Sequence, residues 1–444
     1  MFRHGDAALA YEANNTHSVN GSSRFAFSRA LTRLIEPPTK LRDIKSLLGS
    51  PSRNDGLINL NTAEHYDRVS YDVVQSTPSL DAHREVGELV RELAEDRDWV
   101  MLGELLEEWD QARAACSIKR RLMHTAILEV LSVLQVDQAK TAGPAPVLKP
   151  RHADATIAEI EVAAKDWPNL YALSALAAQM RLAQAWDYRG EDSPETVSAQ
   201  GWEKIETAVS MARVSLAGLD AKALNSPLVA MIKFNLVPFL SNAKKCLMEA
   251  YKDWLCLDAG DLTPHVRIGT YLLPRWFGDY DTLERTALQA VTWTDHEIDV
   301  AAYAVIYSSA MEHEHTPLLY MDTNLFAEGI EDLINYRMRD PAHVPHTVQD
   351  LWVVAQRPPM LGASAEERQE WAGRTNKMAA MSRSCVMRHL TAVHPESWRG
   401  GEKTALDHIS VSAQEALSSG DNLVISKRGV TPIMVPADKA TASL

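Results

Sequence analysis

Between Leu262 and Thr294 two short amphipathic helical patterns meet at a Gly278-Asp279 turn, and neither can bury its apolar side without a neighbour. A chain written in such pieces has few options. Each hairpin must pack on another, and the core is shared between elements rather than owned by one. The same grammar recurs. Val86, Leu89, Val90 and Leu93 stand at helical spacing, a polar break Glu95-Asp96-Arg97-Asp98 follows, and Trp99, Leu102, Leu105, Leu106 and Trp109 line a second helix.

Further helices are expected over 118–136, 154–165, 170–188, 202–216 and 243–257, and from Ser226-Pro227 onward. Pro238 is positioned to kink that last one. Ser193-Pro194-Glu195 reads as a helix start with proline at the first helical position. Residues 295–312 are apolar and helical, and Ser364-Ala-Glu-Glu367 is a capping-box sequence opening a long helix to about Ala392. Near the N-terminus, 23–36 and 40–48 are short helical patterns. Asn422–Ser426 and Thr431–Val435 are the β-prone runs, set around Lys427-Arg428-Gly429 as a terminal hairpin. The expected fold class is therefore all-α, a helical-hairpin α-solenoid in two parts with a short C-terminal β-hairpin.

Three prolines within 139–153 favour an extended spacer and place a boundary there. The chain divides into a tail over 1–22, an N-terminal helical domain over 23–138, that linker, a helical-repeat domain over 154–420 and a hairpin with tail over 421–444. The net charge of −14 argues against nucleic acid as a partner, which needs a concentrated basic face. Lys119-Arg120-Arg121 and the Arg374, Lys377, Arg383 and Arg388 group read as solvated helix faces. Four scattered cysteines without a Cys-x-x-Cys pair fit a reducing compartment. The first residues are polar where a signal peptide is apolar. No window approaches the ~18 apolar residues of a membrane span. A cytoplasmic location is expected.

At Gly278-Asp279-Tyr280-Asp281 the sequence resembles the tetratricopeptide (TPR) repeat. Leu283 takes the place of the repeat's small residue, Ala287 its packing position and Ala290 its late alanine. Ile268-Gly269 resembles the first-helix Leu-Gly pair but lies two residues too far upstream, and Pro274 interrupts that helix. Ala185-Trp186-Asp187-Tyr188-Arg189-Gly190 before Gly201-Trp202, and Pro274-Arg275-Trp276-Phe277-Gly278-Asp279, are similar to sequences in bacterial TPR-like proteins. The likeness covers roughly 165–295 and implies a fold, with no activity or cofactor.

Chemistry-bearing motifs are few. There is no G-x-G-x-x-G, Gly401-Glu402-Lys403-Thr404 lacks the upstream glycine of a phosphate loop, and no G-x-S-x-G elbow occurs. Cys116 and Cys385 lie in helical patterns and read as small apolar residues. Glu312-His313-Glu314-His315 would place Glu312 and His315 on one helix face, the spacing of carboxylate-bridged di-iron bundles, but a second Glu-x-x-His is missing. No cofactor is expected. Trp186, Trp202, Trp254, Trp276 and Trp293 either wedge helices apart or face a ligand. Arg275 beside Trp276 either anchors an acidic peptide or pairs with Asp279 or Asp281 across its own turn.

The function these features imply is docking of a protein or peptide on a helical-repeat surface, with Trp186, Arg189, Arg275, Trp276, Asp279 and Tyr280 as candidate contacts. The alternatives are a helical metalloenzyme using Glu312 and His315, and a regulatory subunit acting through 1–36 or 421–444.

Overall fold

The computed structural model describes residues 62–115, 121–142, 150–190, 197–294, 296–337, 344–359, 363–398 and 400–434. The expected segments 1–22, 23–36, 40–48 and Ser193-Pro194-Glu195 lie outside them. The fold is all-α with a small C-terminal sheet.

The helices are α1 (Pro78–Glu95), α2 (Trp99–Gln111), α3 (Leu122–Ala142), α4 (Pro150–Asp166), α5 (Tyr171–Arg189) and α6 (Ala199–Leu216). After these come α7 (Pro227–Leu236), α8 (Ala243–Leu257), α9 (Thr263–Tyr271), α10 (Tyr280–Trp293), α11 (Ala301–His313) and α12 (Pro317–Tyr320). The last are α13 (Thr323–Arg337), α14 (Val344–Ala355), α15 (Ala365–His389), α16 (Gly401–Ser412) and α17 (Gln414–Ser418).

Local chemistry explains many of the boundaries. Thr77, Asp98, Ser198, Ser226, Asp279 and Ser364 each accept a hydrogen bond from an early backbone N–H of the helix they precede. The capping box at Ser364 and Glu367 is complete. Ser198, one turn past the expected Ser193-Pro194 start, caps α6. Pro238 ends α7 rather than bending it, and the chain passes into a 3₁₀ turn over Val237–Phe239. Residues 139–142 close α3 and 150–153 open α4, so helix enters the stretch expected to be an extended spacer. Pro150 stands at the helix start, where its missing N–H costs nothing.

Helices α5, α7 and α11 are buried on nearly every side. Helix α5 is alanine-rich and is covered by α2, α3, α4, α6 and α7. Helix α11, Ala301-Ala-Tyr-Ala-Val-Ile-Tyr-Ser-Ser-Ala-Met311, is covered by α9, α10, α12, α13 and α14. Helices apolar all round belong in a core, and their small side chains let backbones approach. At Gly269 of α9 an added Cβ would lie 3.1 Å from the carbonyl carbon of Ile306 on α11 and far too close to its oxygen. One cluster of buried apolar residues runs from Val69 to Val430, and a smaller one holds Ala185, Ile205, Ala208 and Val209.

The sheet orders β1 (Val69–Ser70), β2 (Asn422–Ser426) and β3 (Gly429–Ile433). β2 and β3 form the expected antiparallel hairpin, with Asn422 opposite Ile433 and Ser426 opposite Gly429. Gly429 has φ +91° and lies against the backbone of Met387 and Arg388, so a side chain is excluded twice. β1 adds in parallel, Val69 opposite Leu423. Tyr66 donates to Asp407, Tyr71 to Glu402 at 2.5 Å, and Val74 N to Val393 O at 2.9 Å. Residues 62–74 are thereby fastened to the C-terminal elements, a closure invisible in the periodicity.

Candidate functional site

The six candidate contacts fall into two groups. Arg275, Trp276, Asp279 and Tyr280 surround the α9–α10 connection, whereas Trp186 and Arg189 sit at the end of α5. Trp186 packs on Phe239 with ring centroids 4.6 Å apart, and Arg189 is buried. Phe239 in turn packs against the smaller apolar cluster.

Around the α9–α10 connection the arrangement differs from the expected one. Arg275 pairs with neither Asp279 nor Asp281. Its Nε lies 3.2 Å from Oε1 of Glu314, just past the end of α11. The other carboxylate oxygen accepts from the Tyr280 hydroxyl at 2.8 Å. Asp279 is occupied as the cap of α10, accepting from Thr282 N at 2.7 Å. Those Thr282 hydrogen bonds hold its carboxyl below the usual range. Burial, with Glu314 adding to it, raises the Tyr280 phenol. Trp276 is half-buried with its ring edge-on to Tyr271 at 6.0 Å. Glu314 is the residue that organises this junction.

Tyr320 completes it. Its ring lies 4.8 Å from that of Tyr280, and the residue is 46% exposed. The segment carrying it is braced from α15, where Arg374 Nη1 donates to Leu318 O at 2.9 Å and to Met321 O at 2.7 Å. Arg357 donates to Glu314 O at 3.1 Å, and Trp371 Nε1 to Arg357 O at 3.0 Å. An exposed aromatic, an ion pair and a phenol are thus held on fixed backbone.

The Glu312–His315 pair does not share a helix face. Helix α11 ends at His313, Glu314 is extended, and His315 lies stacked on Trp371 at 5.8 Å with Nδ1 3.2 Å from Pro358 O. Burial lowers its pKa and favours the neutral ring. Glu312 points elsewhere, into a cleft between α9, α11, α13 and α14. That cleft has about 510 Å³ of empty space counted out to its open mouth. Val266, Val305, Ile330, Leu333 and Leu351 supply apolar wall, and Glu312, Asp350, Ser308, Ser309 and Thr347 the polar part. Among the described residues no three His, Cys, Asp or Glu side chains gather as a metal-binding group.

A buried polar centre, also unannounced by the sequence, holds the α8–α9 connection beside this site. Arg121 donates through Nε to Asp258 Oδ2 at 2.6 Å and through Nη2 to Oδ1, a two-pronged pair almost out of water. His124 Nε2 lies 3.5 Å from Asp261 Oδ2, and Tyr336 donates to Gly260 O at 2.5 Å. Burial raises the pKa of both Asp258 and Asp261, against the pull of Arg121. Cys385 is buried, and that burial pushes its thiol up to about 12, which makes it an apolar filler rather than a nucleophile.

The fold and the site define an all-α protein with a terminal β-hairpin and a braced aromatic-and-charge junction. No family model, curated protein or solved structure matches the chain. Among the described residues no helix is long and apolar enough to cross a membrane.

Proposed function

We propose that this chain is a cytoplasmic docking protein, a diverged relative of TPR-like helical repeats that binds a partner protein or peptide. The junction of Arg275, Tyr280, Glu314 and Tyr320 is its contact surface. One observation carries the reading: Tyr320 is presented nearly half exposed on Tyr280, whose hydroxyl is already committed to Glu314. Aromatic rings held in advance on rigid backbone lose little freedom on binding, and such residues dominate interface energetics. The surrounding ion pair and carboxylate form a polar rim.

The test is capture from native extract with the full chain, wild type against Tyr320→Ala and Arg275→Ala. Co-purifying species lost in Tyr320→Ala, with thermal unfolding unchanged, support docking at this junction. Identical capture profiles from wild type and both variants sink it.

A further inference from the structure

At the start of α3, His124 turns both ring nitrogens toward the α8–α9 connection. Nε2 lies 3.5 Å from Asp261 Oδ2, and Nδ1 lies 3.1 Å from the Thr263 hydroxyl. Asp261 is 2% exposed, and its other oxygen accepts from Thr263 N at 2.9 Å. The Thr263 hydroxyl donates to the same carboxylate, and together with that N–H it draws the carboxyl down against burial. A threonine hydroxyl has one proton to give. Given to Asp261, it leaves only oxygen lone pairs facing His124, so Nδ1 is the donor in that contact. Nε2 meanwhile faces a carboxylate oxygen, which also needs a donor. Both nitrogens carry hydrogen only in the imidazolium.

The surrounding charge agrees. Arg121 and Arg267 stand near Asp261, but Arg121 is held by both oxygens of Asp258. Glu297 Oε2 and the Tyr336 hydroxyl close on the same connection, each 3.4 Å from where a Cβ on Gly260 would lie. Burial pushes the Tyr336 phenol up to about 12, so it stays neutral. Trp254 of α8 packs edge-on to the His124 ring at 6.3 Å. His265 of α9 bonds to Tyr251 instead, and His83 of α1 meets Thr125, the next residue along α3. Asp258, Asp261 and Glu297 thus stand against the guanidiniums of Arg121 and Arg267. One more positive charge completes neutrality.

We infer that His124 is a pH-sensitive clasp: as an imidazolium it bridges Asp261 and Thr263, fastens the first turn of α3 to the α8–α9 connection, and lets go as rising pH removes its proton. A histidine that gains a counter-charge on folding holds its proton more tightly than in the unfolded chain. Its contribution to stability is complete below the unfolded value of ~6.5 and is lost as pH rises through the folded midpoint.

The experiment uses the full chain with isotope-labelled histidine and reads both ring nitrogens of His124 by heteronuclear NMR, with His124→Gln assigning the signals. At about pH 7 both nitrogens should show the shifts of protonated nitrogen. Asp261→Asn should lower the titration midpoint by at least about one pH unit, the scale on which a close opposite charge acts. Thr263→Val should lower it too, and keeps the test open if Asp261→Asn fails to fold. The melting-temperature gap between wild type and His124→Gln should narrow from about pH 6 to about pH 9. A neutral His124 at about pH 7 overturns the clasp, whether Asp261 is ionised or holds the proton itself. So does a midpoint indifferent to both substitutions, or a gap that does not narrow.

Discussion

Replacing Gly269 by alanine tests how the core around the cleft is built. In the interior of α9 the substitution would by itself favour helix by ~1 kcal/mol, since alanine loses less backbone freedom than glycine. Against this stands the approach to α11. The new Cβ would meet the Ile306 carbonyl carbon at 3.1 Å and its Cα at 3.2 Å, with the oxygen nearer than real Cβ atoms come. The obstacle is backbone, so relief requires the two helices to part. Overpacking of this kind costs up to ~3 kcal/mol, leaving a net loss of about 2 kcal/mol. With an unfolding entropy of ~2.1 cal/mol/K per residue, that shifts the melting temperature of a chain this long by only about 2 °C. Differential scanning calorimetry resolves such a shift when paired with an internal control. Gly373, within α15, has nothing within 4 Å of its added Cβ. There only the propensity gain acts, and Gly373→Ala should raise the melting temperature by about 1 °C. Opposite signs for one substitution at two sites are the prediction. A Gly269→Ala protein melting at or above wild type would refute the close approach of α9 and α11.

Asp258→Ala should cost about 3–5 kcal/mol, because Arg121 is then buried without its counter-charge; urea unfolding measures it, and Arg121→Met with Asp258→Leu should recover much of the loss. His265 is fully buried, and burial lowers its pKa from 6.5 to about 3. The unfolded chain therefore takes up a proton that the folded chain refuses. This contribution to stability is complete above pH 6.5 and is lost as pH falls toward 3. Between pH 6.5 and 4.5 the loss is about 2 kcal/mol, and His265→Phe should show a correspondingly shallower acid decline in unfolding midpoint. Ser364→Ala should cost about 1 kcal/mol through the lost cap on α15, with fraying visible as faster amide exchange at Glu367 and Arg368.

The legible and the illegible parts divide by range. Helix positions could be read because periodicity and capping act over one or two turns. Asp279 before α10, Ser226-Pro227 before α7 and the Ser364 box all stand where the residues alone place them. The hairpin at 422–433 could be read for the same reason. Arg275 and Tyr280 stand out as candidate contacts from their place beside the Gly278-Asp279 turn. Their chemical partner did not show, because Glu314 stands thirty-four residues past Tyr280 and nothing local announces the meeting. The Glu312–His315 reading failed because an i, i+3 relation holds only inside a helix, and α11 stops at His313.

Sequence by itself determined that this chain is helical, where its turns fall, and that no helix could stand alone, since those properties follow from side-chain spacing and backbone chemistry within a few residues. Tertiary structure decided which carboxylate meets Arg275, that Arg121 finds Asp258 across 137 positions, and that residues 62–74 are fastened to the C-terminal sheet. It also decided that Glu312, Asp350 and Thr347 line one cleft. Such pairings depend on how hairpins stack, and stacking is set by summed shape complementarity among many small contacts, which no short stretch of chain encodes.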